Sequence, residues 1–558
     1  MIKDQIIKVL QGITEAKDIN LEFPENPEFG DYTTNIALQL KSQNSNPRRI
    51  AEEIVEKLKT DKKISKIVDK IEVASPGFIN FWLKKDVLLT NLMEIESAKE
   101  KYGVSTEGKG ETVIIDYSSP NIAKPFGIGH LRSTIIGQAL CNLYKALGYE
   151  VVGDNHLGDW GTQFGKLLYM IELKKLKDFD IAKLEELYVE FHKLAEKDES
   201  LEEEARKWFK KLEDGDGEAK EIWQKCVDVS MTEFNKVYKL LGVKIDFTFG
   251  ESYYESEMRQ MIADAAVRKH LSKGEDGASI IDLTKEGIPT PLMFLKKDGA
   301  TTYATRDLAT IKFRERKWDP AIIIYEVGAE QSLHFKQVFA TARLIGLVDK
   351  KVELVHTAHG LYLAPDGKKF STRRGKTIKL EEVLDEAVTR AKKLGNSSGE
   401  VAKEVGIGAI KYFDLMHSVQ SNVIFEWDKI MNMEGNSGPY LQYTAARTNS
   451  VLAKVTNHKS QDPNKFQITN SKLGVEELSV LRSLIKFPEV IEMAAKTYSP
   501  NVVCTYLYDL AQKFNSFYNS DKIIGSENEE FRLALTFGVG QVLKNGLKLL
   551  GIETPERM

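Results

Sequence analysis

The stretch from 112 to 156 constrains this chain more than any other. An apolar run, "TVIID", leads through "YSSPNIAKPFGIGH" into the helix-length "LRSTIIGQALCNLYKALG", and a second apolar run, "YEVVGDNH", follows. Strand (112–117), turn, helix and strand (149–156) make a βαβ unit. Its strands lie parallel, because a crossover helix returns the chain to the same end of the sheet. Two more short apolar runs, "AIIIYEVG" (321–328) and "KVELVHTAHG" (351–360), are separated by helical patterns. This alternation predicts a doubly wound parallel sheet.

The flanks read differently. Within 1–108, "RRIAEEIVEKLKT" (48–60) has helical spacing, and "KIEVASPGFINFWL" (70–83) reads as strand, turn, strand around Pro76-Gly77. Between the halves of the alternating region, a charged helical tract, "EKDESLEEEARKWFKKLEDGDGEAKEIW", reads as a solvated helical face. Beyond 400 the strand signal fades into amphipathic helices such as "NVVCTYLYDLAQKFNSFYN". The expected fold is α/β: a Rossmann-type catalytic domain (109–400) with a helical insertion (about 172–290), a small α+β N-terminal domain (1–108) and an all-α C-terminal bundle (401–558). A length of 558 residues suits several domains.

Composition excludes some classes. Lys plus Arg total 78 against 82 Asp plus Glu, a formal net charge of −4, which argues against a nonspecific polyanion binder but leaves a local basic face for RNA. No run reaches the roughly 18 apolar residues of a membrane span. The first residues, "MIKDQIIKVLQGITEAKD", are mixed and charged, unlike a secretory leader. Cys141, Cys226 and Cys504 lie far apart, which supports neither a disulfide framework nor a zinc cluster. A cytoplasmic location is expected.

Two stretches carry chemistry. In "KPFGIGHLRST" (124–134), Gly127 and Gly129 sit at a strand exit where a helix begins. Such a helix start offers free N–H groups to phosphates, the missing Cβ atoms allow close approach, and His130 adds a donor as charge develops. A glycine-rich turn capped by a histidine is the alternative that spacing leaves open. In "APDGKKFSTRRGK" (364–376), Lys368, Lys369, Arg373, Arg374 and Lys376 concentrate positive charge, with Ser371 and Thr372 as hydroxyl donors. That suits a triphosphate losing pyrophosphate; a solvated basic hairpin tip is the alternative.

Together these stretches resemble the class I aminoacyl-tRNA synthetases, and specifically the arginyl-tRNA synthetase family. "SSPNIAKPFGIGHLRSTIIGQAL" is similar to the family's first signature. "NHLGDWGTQFGKL" (155–167), "DGATTYATRDLAT" (298–310), "VGAEQSLHFKQVF" (327–339) and "EGNSGPYLQYTAAR" (434–447) follow in the family's order. "PEFGDYTTNIALQL" and "SPGFINFWL" resemble its N-terminal tRNA-contacting domain, and "LLGIETPERM" its C-terminus.

The resemblance implies ATP-dependent ligation of L-arginine to its cognate tRNA through arginyl-adenylate, with the first step needing bound tRNA. Catalysis falls to His130, Lys124, Lys369, Ser371 and Arg373. Arginine is held by Asp116, Ser118, Asn121, Tyr303, Asp307 and Gln331, with Trp160 and Gln163 lining the pocket. A planar cation needs a carboxylate and an orienting partner, and Tyr303 and Asp307, four apart at a helix start, share one face. ATP is held by Phe126, Gly127, Gly129, His130, Gly328, His359 and Phe370. The tRNA contacts are Asn35, Tyr440, Gln442, Tyr443, Arg447 and Met558. Magnesium accompanies ATP with no dedicated protein site; the enzyme is expected to be a monomer with no membrane attachment.

Three positions depart from the family pattern. Gly127 replaces the first histidine of the signature. The basic loop lacks the second lysine of the general class I motif, for which Lys124 is the substitute. Asp116 stands where a glutamate is common, one methylene shorter. Two other readings stay open: an adenylyl-transferring enzyme for a small metabolite, which would not need 401–558, and a non-catalytic tRNA binder, which would form no adenylate.

Overall fold

The four apolar runs and a fifth strand form one parallel sheet: β1 (Thr112–Asp116), β2 (Glu150–Leu157), β3 (Phe247–Gly250), β4 (Ile322–Tyr325) and β5 (Glu353–His356), in the order β5–β4–β1–β2–β3. Every neighbouring pair is parallel. The computed structural model that places them describes residues 1–40, 46–368, 378–395, 398–456 and 473–558. In β1, Val113, Ile114 and Ile115 are all fully buried. Val113 and Ile115 join one apolar core and Ile114 the other, as alternate side chains of a strand covered on both faces must. The chain runs outward from β1 through β2 to β3, then returns to β4 and β5 on the opposite side. The order therefore reverses beside β1, where ligands of such sheets bind. Register brings Asp116 level with Asp154 and Tyr325, so three strand ends open together.

Helix α1 (Leu131–Ala146) follows β1 and is buried along nearly its whole length, which accounts for its lack of a polar face. Its Arg132 is buried against Asp414, with a nitrogen–oxygen distance of 3.3 Å, and Arg132 Nη1 also donates to Ser421 O. The helix that begins at the glycine motif is thereby keyed into the C-terminal half.

The region expected as one insertion, 172–290, is corrected by the sheet. The helices Ile181–Ala195, Ser200–Asp214 and α2 (Gly217–Leu241) do stand outside it. Phe247–Gly250 is instead the edge strand β3. Its sequence, Phe-Thr-Phe-Gly, is no continuous apolar run, and as an edge strand it has only Gly250 buried. A three-stranded antiparallel sheet (Leu271–Lys273, Ser279–Ile281, Leu292–Leu295) then leads to α3 (Tyr303–Trp318), and α4 (Ser332–Leu344) joins β4 to β5.

The N-terminal part is a four-stranded antiparallel sheet carrying the helix Pro47–Thr60, whose Ala51, Ile54, Val55 and Leu58 are buried. It docks on the C-terminal helices: Tyr32 OH donates to Glu489 at 2.5 Å and Asn545 Nδ2 to Tyr102 O at 3.1 Å. Those helices include α5 (Gly399–Leu415), α6 (Gly438–Thr456), α7 (Asn501–Ser520) and α8 (Glu529–Leu549). Among the described residues, no helix is long and apolar enough to cross a membrane.

Candidate active site

The exit of β1 is a strained turn. Ser118, Ser119 and Ala123 have φ of 72°, 42° and 63°, which costs energy in L-residues unless the surroundings fix it. Hydrogen bonds do so. Ser118 N–H donates to Ser133 Oγ at 2.8 Å, Ser119 N–H to Asn155 Oδ1 at 3.0 Å and Ala123 N–H to Ser230 Oγ at 2.9 Å. The buried Ser118 hydroxyl is 2.9 Å from both Thr134 Oγ1 and Tyr238 OH, so this predicted arginine contact faces inward. Asn121, by contrast, is exposed at the turn's tip and bridges to Gly158. A Cβ at Gly158 would overlap Asn121 Oδ1, so the block "NHLGDWG" supplies the glycine that seats Asn121.

In the glycine motif, Gly127 has φ −88° and ψ 165°, an extended conformation open to any residue. The backbone does not require glycine where the family has histidine. Gly127 N–H lies 3.2 Å from His130 Nδ1. Gly127 O lies 3.3 Å from the same atom, so Nδ1 accepts from the N–H when the ring proton is on Nε2 and donates to the carbonyl when it is on Nδ1. Burial pushes the His130 pKa below its usual value, the Gly127 backbone opposes this, and the Lys124 ammonium adds to it. His130 is therefore a neutral imidazole held against the Gly127 backbone through Nδ1. Phe126 packs on it with centroids 5.0 Å apart. Gly129 is exposed, with nothing within 4 Å of where a Cβ would stand. The Lys124 ammonium lies 5.7 Å from the Tyr188 ring centre, on the insertion side.

The second motif returns to the same edge. Ile128 N–H donates to Ile378 O at 3.1 Å and Leu380 N–H to Phe126 O at 2.9 Å. The chain leaving the basic loop is thus stitched to the glycine motif. Lys369, Phe370, Ser371 and Arg373 lie outside the described residues. Across the cleft, Gly328 bridges His359, whose Nδ1 is 2.9 Å from the buried Glu326 carboxylate. Ser133 Oγ donates to Glu326 O at 2.7 Å, fixing the β4 exit to α1. Gln331 is exposed in the turn before α4.

A second set of groups gathers at α3. Thr302 caps this helix by accepting from Thr305 N–H. Tyr303 is 70% exposed, a high value for a tyrosine and one that leaves its face open to a ligand. Asp307, one turn on, places Oδ2 2.5 Å from His334 Nε2. Glu251, immediately after β3, accepts from Arg306 Nη1 at 2.9 Å. Burial pushes the Glu251 carboxyl up to about 7; Arg306 and His156 oppose this, while Asp307 and Asp159 add to it. Glu251 and Asp307 therefore share one electrostatic environment. Asp159 accepts from Ser252 N–H at 2.9 Å and Ser252 Oγ at 2.6 Å. Sequence reasoning missed Glu251 and His334. The signal for Glu251 was its place at a strand exit, invisible while β3 was taken for helical insertion.

Asp116 is engaged within the protein. Its Oδ2 accepts from Arg314 Nη2 at 2.7 Å and its Oδ1 from Ser119 Oγ at 3.0 Å, while Asp154 takes the same guanidinium at 2.6 Å. Both carboxylate oxygens are occupied by groups that hold the strand ends together. Trp160 packs edge-on against Phe209 and Trp223, and Gln163 lies half-buried in the following helix.

On α6 the predicted tRNA contacts divide. Gln442 is fully buried and donates to Glu553 O at 2.7 Å and Glu404 O at 3.1 Å, tying down the C-terminal tail. Arg447 lies over Tyr443 and Tyr518 at 4.9 and 5.1 Å and donates to Asn515, which in turn donates to Tyr440 OH. This aromatic and cationic cluster reaches the surface, as does Met558. Asn35, at the start of the turn Ile36–Gln39, accepts from Gln39 at 2.9 Å.

Family models cover most of the chain: Arginyl tRNA synthetase N terminal domain at residues 1–83, tRNA synthetases class I (R), catalytic domain at 91–427, and DALR anticodon binding domain at 441–558. An arginine–tRNA ligase of Fusobacterium nucleatum is 41% identical over 98% of this chain and 96% of its own. One of Clostridioides difficile is 39% identical over 96% and 95%. Among solved structures, the arginyl-tRNA synthetase of Plasmodium falciparum superposes with a TM-score of 0.85 at 26% identity, covering 100% of this chain and 98% of that one. The Thermus thermophilus arginyl-tRNA synthetase shares the fold, with a TM-score of 0.83 at 22% identity over the full length of both chains. With its glycine motif, its paired acids and these full-length likenesses, the chain belongs to the arginyl-tRNA synthetase family of class I aminoacyl-tRNA synthetases.

Proposed function

We infer that this chain ligates L-arginine to the 3′ end of its cognate tRNA. The arginine carboxylate attacks the α-phosphorus of ATP, giving arginyl-adenylate and pyrophosphate, and the arginyl group then passes to the terminal adenosine. One observation carries the site reading: Asp307, Glu251 and the open face of Tyr303 form an acidic, aromatic recess suited to a planar cation. That recess is built on the β3 exit and the first turns of α3, and the neutral His130 ring stands at the β1 exit of the same sheet.

The division of labour follows from the chemistry. Tyr303, Asp307 and Glu251 seat the guanidinium, and Asn121 and Gln331 hold the amino and carboxylate end. Ser118 and Asp116 act from beneath, fixing the strained turn and the strand ends. Phe126, Gly127, Gly129, Gly328 and His359 frame ATP. His130 Nε2–H and the Lys124 ammonium stabilise charge on the phosphates, joined by Lys369, Ser371 and Arg373 of the basic loop, with Phe370 beside the nucleotide. Magnesium travels with ATP, retaining water and phosphate ligands; among the described residues no cluster of His, Cys, Asp or Glu is arranged to hold an ion.

We divide the chain at 108 and 400 and assign tRNA contact to Asn35 in the first part and to Tyr440, Tyr443, Arg447 and Met558 in the last, where aromatic faces and a guanidinium suit splayed bases. Gln442 serves this surface from inside. The enzyme acts as a monomer in the cytoplasm, a reading that the three buried free thiols fit. The test is ATP–pyrophosphate exchange with cognate tRNA present. Exchange that depends on arginine is expected; none, or exchange driven by another amino acid, rejects the assignment.

A further inference from the structure

The acids of the guanidinium seat each carry an internal partner: Arg306 on Glu251 and His334 on Asp307. The first pair repeats the interaction expected of the substrate. Arg306 donates to Glu251 Oε2, and its guanidinium carbon lies 5.4 Å from the Tyr303 ring centre. An acid and a tyrosine face are the partners assigned above to arginine itself. The pair is nearly enclosed, its side chains 12% and 11% exposed.

The enclosure leaves part of this guanidinium unsatisfied. Arg306 Nε is buried without a hydrogen-bond partner. Arg132, the arginine that keys α1 into the C-terminal half, engages Nε, Nη1 and Nη2 together. A guanidinium gains its strength from bidentate and multiple bonding. Arg306 has little of that, so it is held by charge more than by geometry. A second guanidinium entering beside it would also meet a like charge at contact distance, which disfavours sharing.

We propose that Arg306 is a resident competitor for the guanidinium seat: it holds Glu251 while the site is empty, and substrate arginine displaces it. This rests on the reading that Tyr303, Asp307 and Glu251 seat the guanidinium. The displacement is common to every ligand that uses Glu251. It sets absolute affinity and leaves discrimination between arginine analogues unchanged. Apparent affinity falls by the fraction of molecules whose seat is free; a free fraction of roughly 0.1–0.3 weakens arginine binding about three- to tenfold.

The test uses the full-length enzyme with cognate tRNA and saturating ATP. Arg306→Met and Arg306→Gln should lower the arginine KM at least threefold, leave the ATP KM within twofold, and preserve the ratio of kcat/KM for arginine over canavanine. An arginine KM that is unchanged or raised in both variants overturns the proposal. A structure of the unsubstituted enzyme with L-arginine tests it without any substitution. Arg306 should leave hydrogen-bond distance of Glu251, and a retained contact overturns it. Glu251→Gln in the same assay separates the two levels of inference. If it leaves the arginine KM unchanged, the seat itself is wrong; if it raises that KM while the Arg306 variants do nothing, only the competitor is wrong.

Discussion

Replacing Asp307 by asparagine removes one charge from the guanidinium seat and almost nothing else. The two side chains match in size, and the amide oxygen can still accept a hydrogen bond. Asp307 is 18% exposed and its Oδ2 meets His334, so the carboxylate is mostly desolvated and already oriented. Uncharging one partner of a desolvated, hydrogen-bonded ion pair costs about 2–5 kcal/mol. Residual exposure and the second acid, Glu251, place this site at the lower end, about 2–3 kcal/mol, or roughly 30- to 150-fold in affinity. The guanidinium is remote from the bond that forms, so the loss is uniform binding and falls on KM more than on kcat. Aminoacylation of cognate tRNA should be measured with arginine varied at saturating ATP, then with ATP varied at saturating arginine. The arginine KM should rise by that factor and the ATP KM by less than twofold. Equal changes in both would show that Asp307 supports the fold and does not read the substrate.

Lys124→Ala should slow adenylate formation by about two orders of magnitude if its ammonium serves the triphosphate; pyrophosphate exchange within twofold of the unsubstituted rate removes it from the mechanism. Gly158→Ala forces Asn121 aside, which is easy for an exposed amide. The arginine KM should rise severalfold with little change in Tm, whereas a lower Tm with normal arginine kinetics would deny Asn121 its role. Glu489, buried against Tyr32, has its carboxyl pushed up to about 7 by burial, against 4.5 ordinarily. The folded state thus holds this proton more tightly than the unfolded chain, and the group's contribution is lost as pH rises from 4.5 through 7. Glu489→Gln should therefore stabilise the protein by up to about 3 kcal/mol at pH 8 and by less than about 1 kcal/mol at pH 5, read from urea midpoints; a gain equal at both pH values would contradict the assignment.

What the sequence disclosed and what it hid follow from length and range. β1 and β4 announced themselves because buried parallel strands are continuous apolar runs, β2 and β5 through shorter apolar stretches, and the β1 exit was legible through its paired glycines. The start of α3 was legible because Tyr303 and Asp307 fall one turn apart. Glu251 was hidden because β3 is an edge strand with only Gly250 buried, so its sequence holds no continuous apolar run. The state of Ser118, Asp116 and Gln442 was hidden for another reason. Each is a polar residue whose partners, among them Tyr238, Arg314 and Glu553, lie far away in sequence, so nothing local distinguishes a ligand contact from an internal hydrogen bond. The Glu251–Arg306 pair belongs to the same class, since 55 positions separate its members.

The most direct measurement is a structure of the full chain with cognate tRNA and a non-hydrolysable arginyl-adenylate analogue. The guanidinium should lie between Asp307, Glu251 and the Tyr303 ring, with the phosphate analogue within hydrogen-bond reach of His130 Nε2. A guanidinium bound away from Asp307, or a phosphate that leaves His130 untouched, would contradict the site described here.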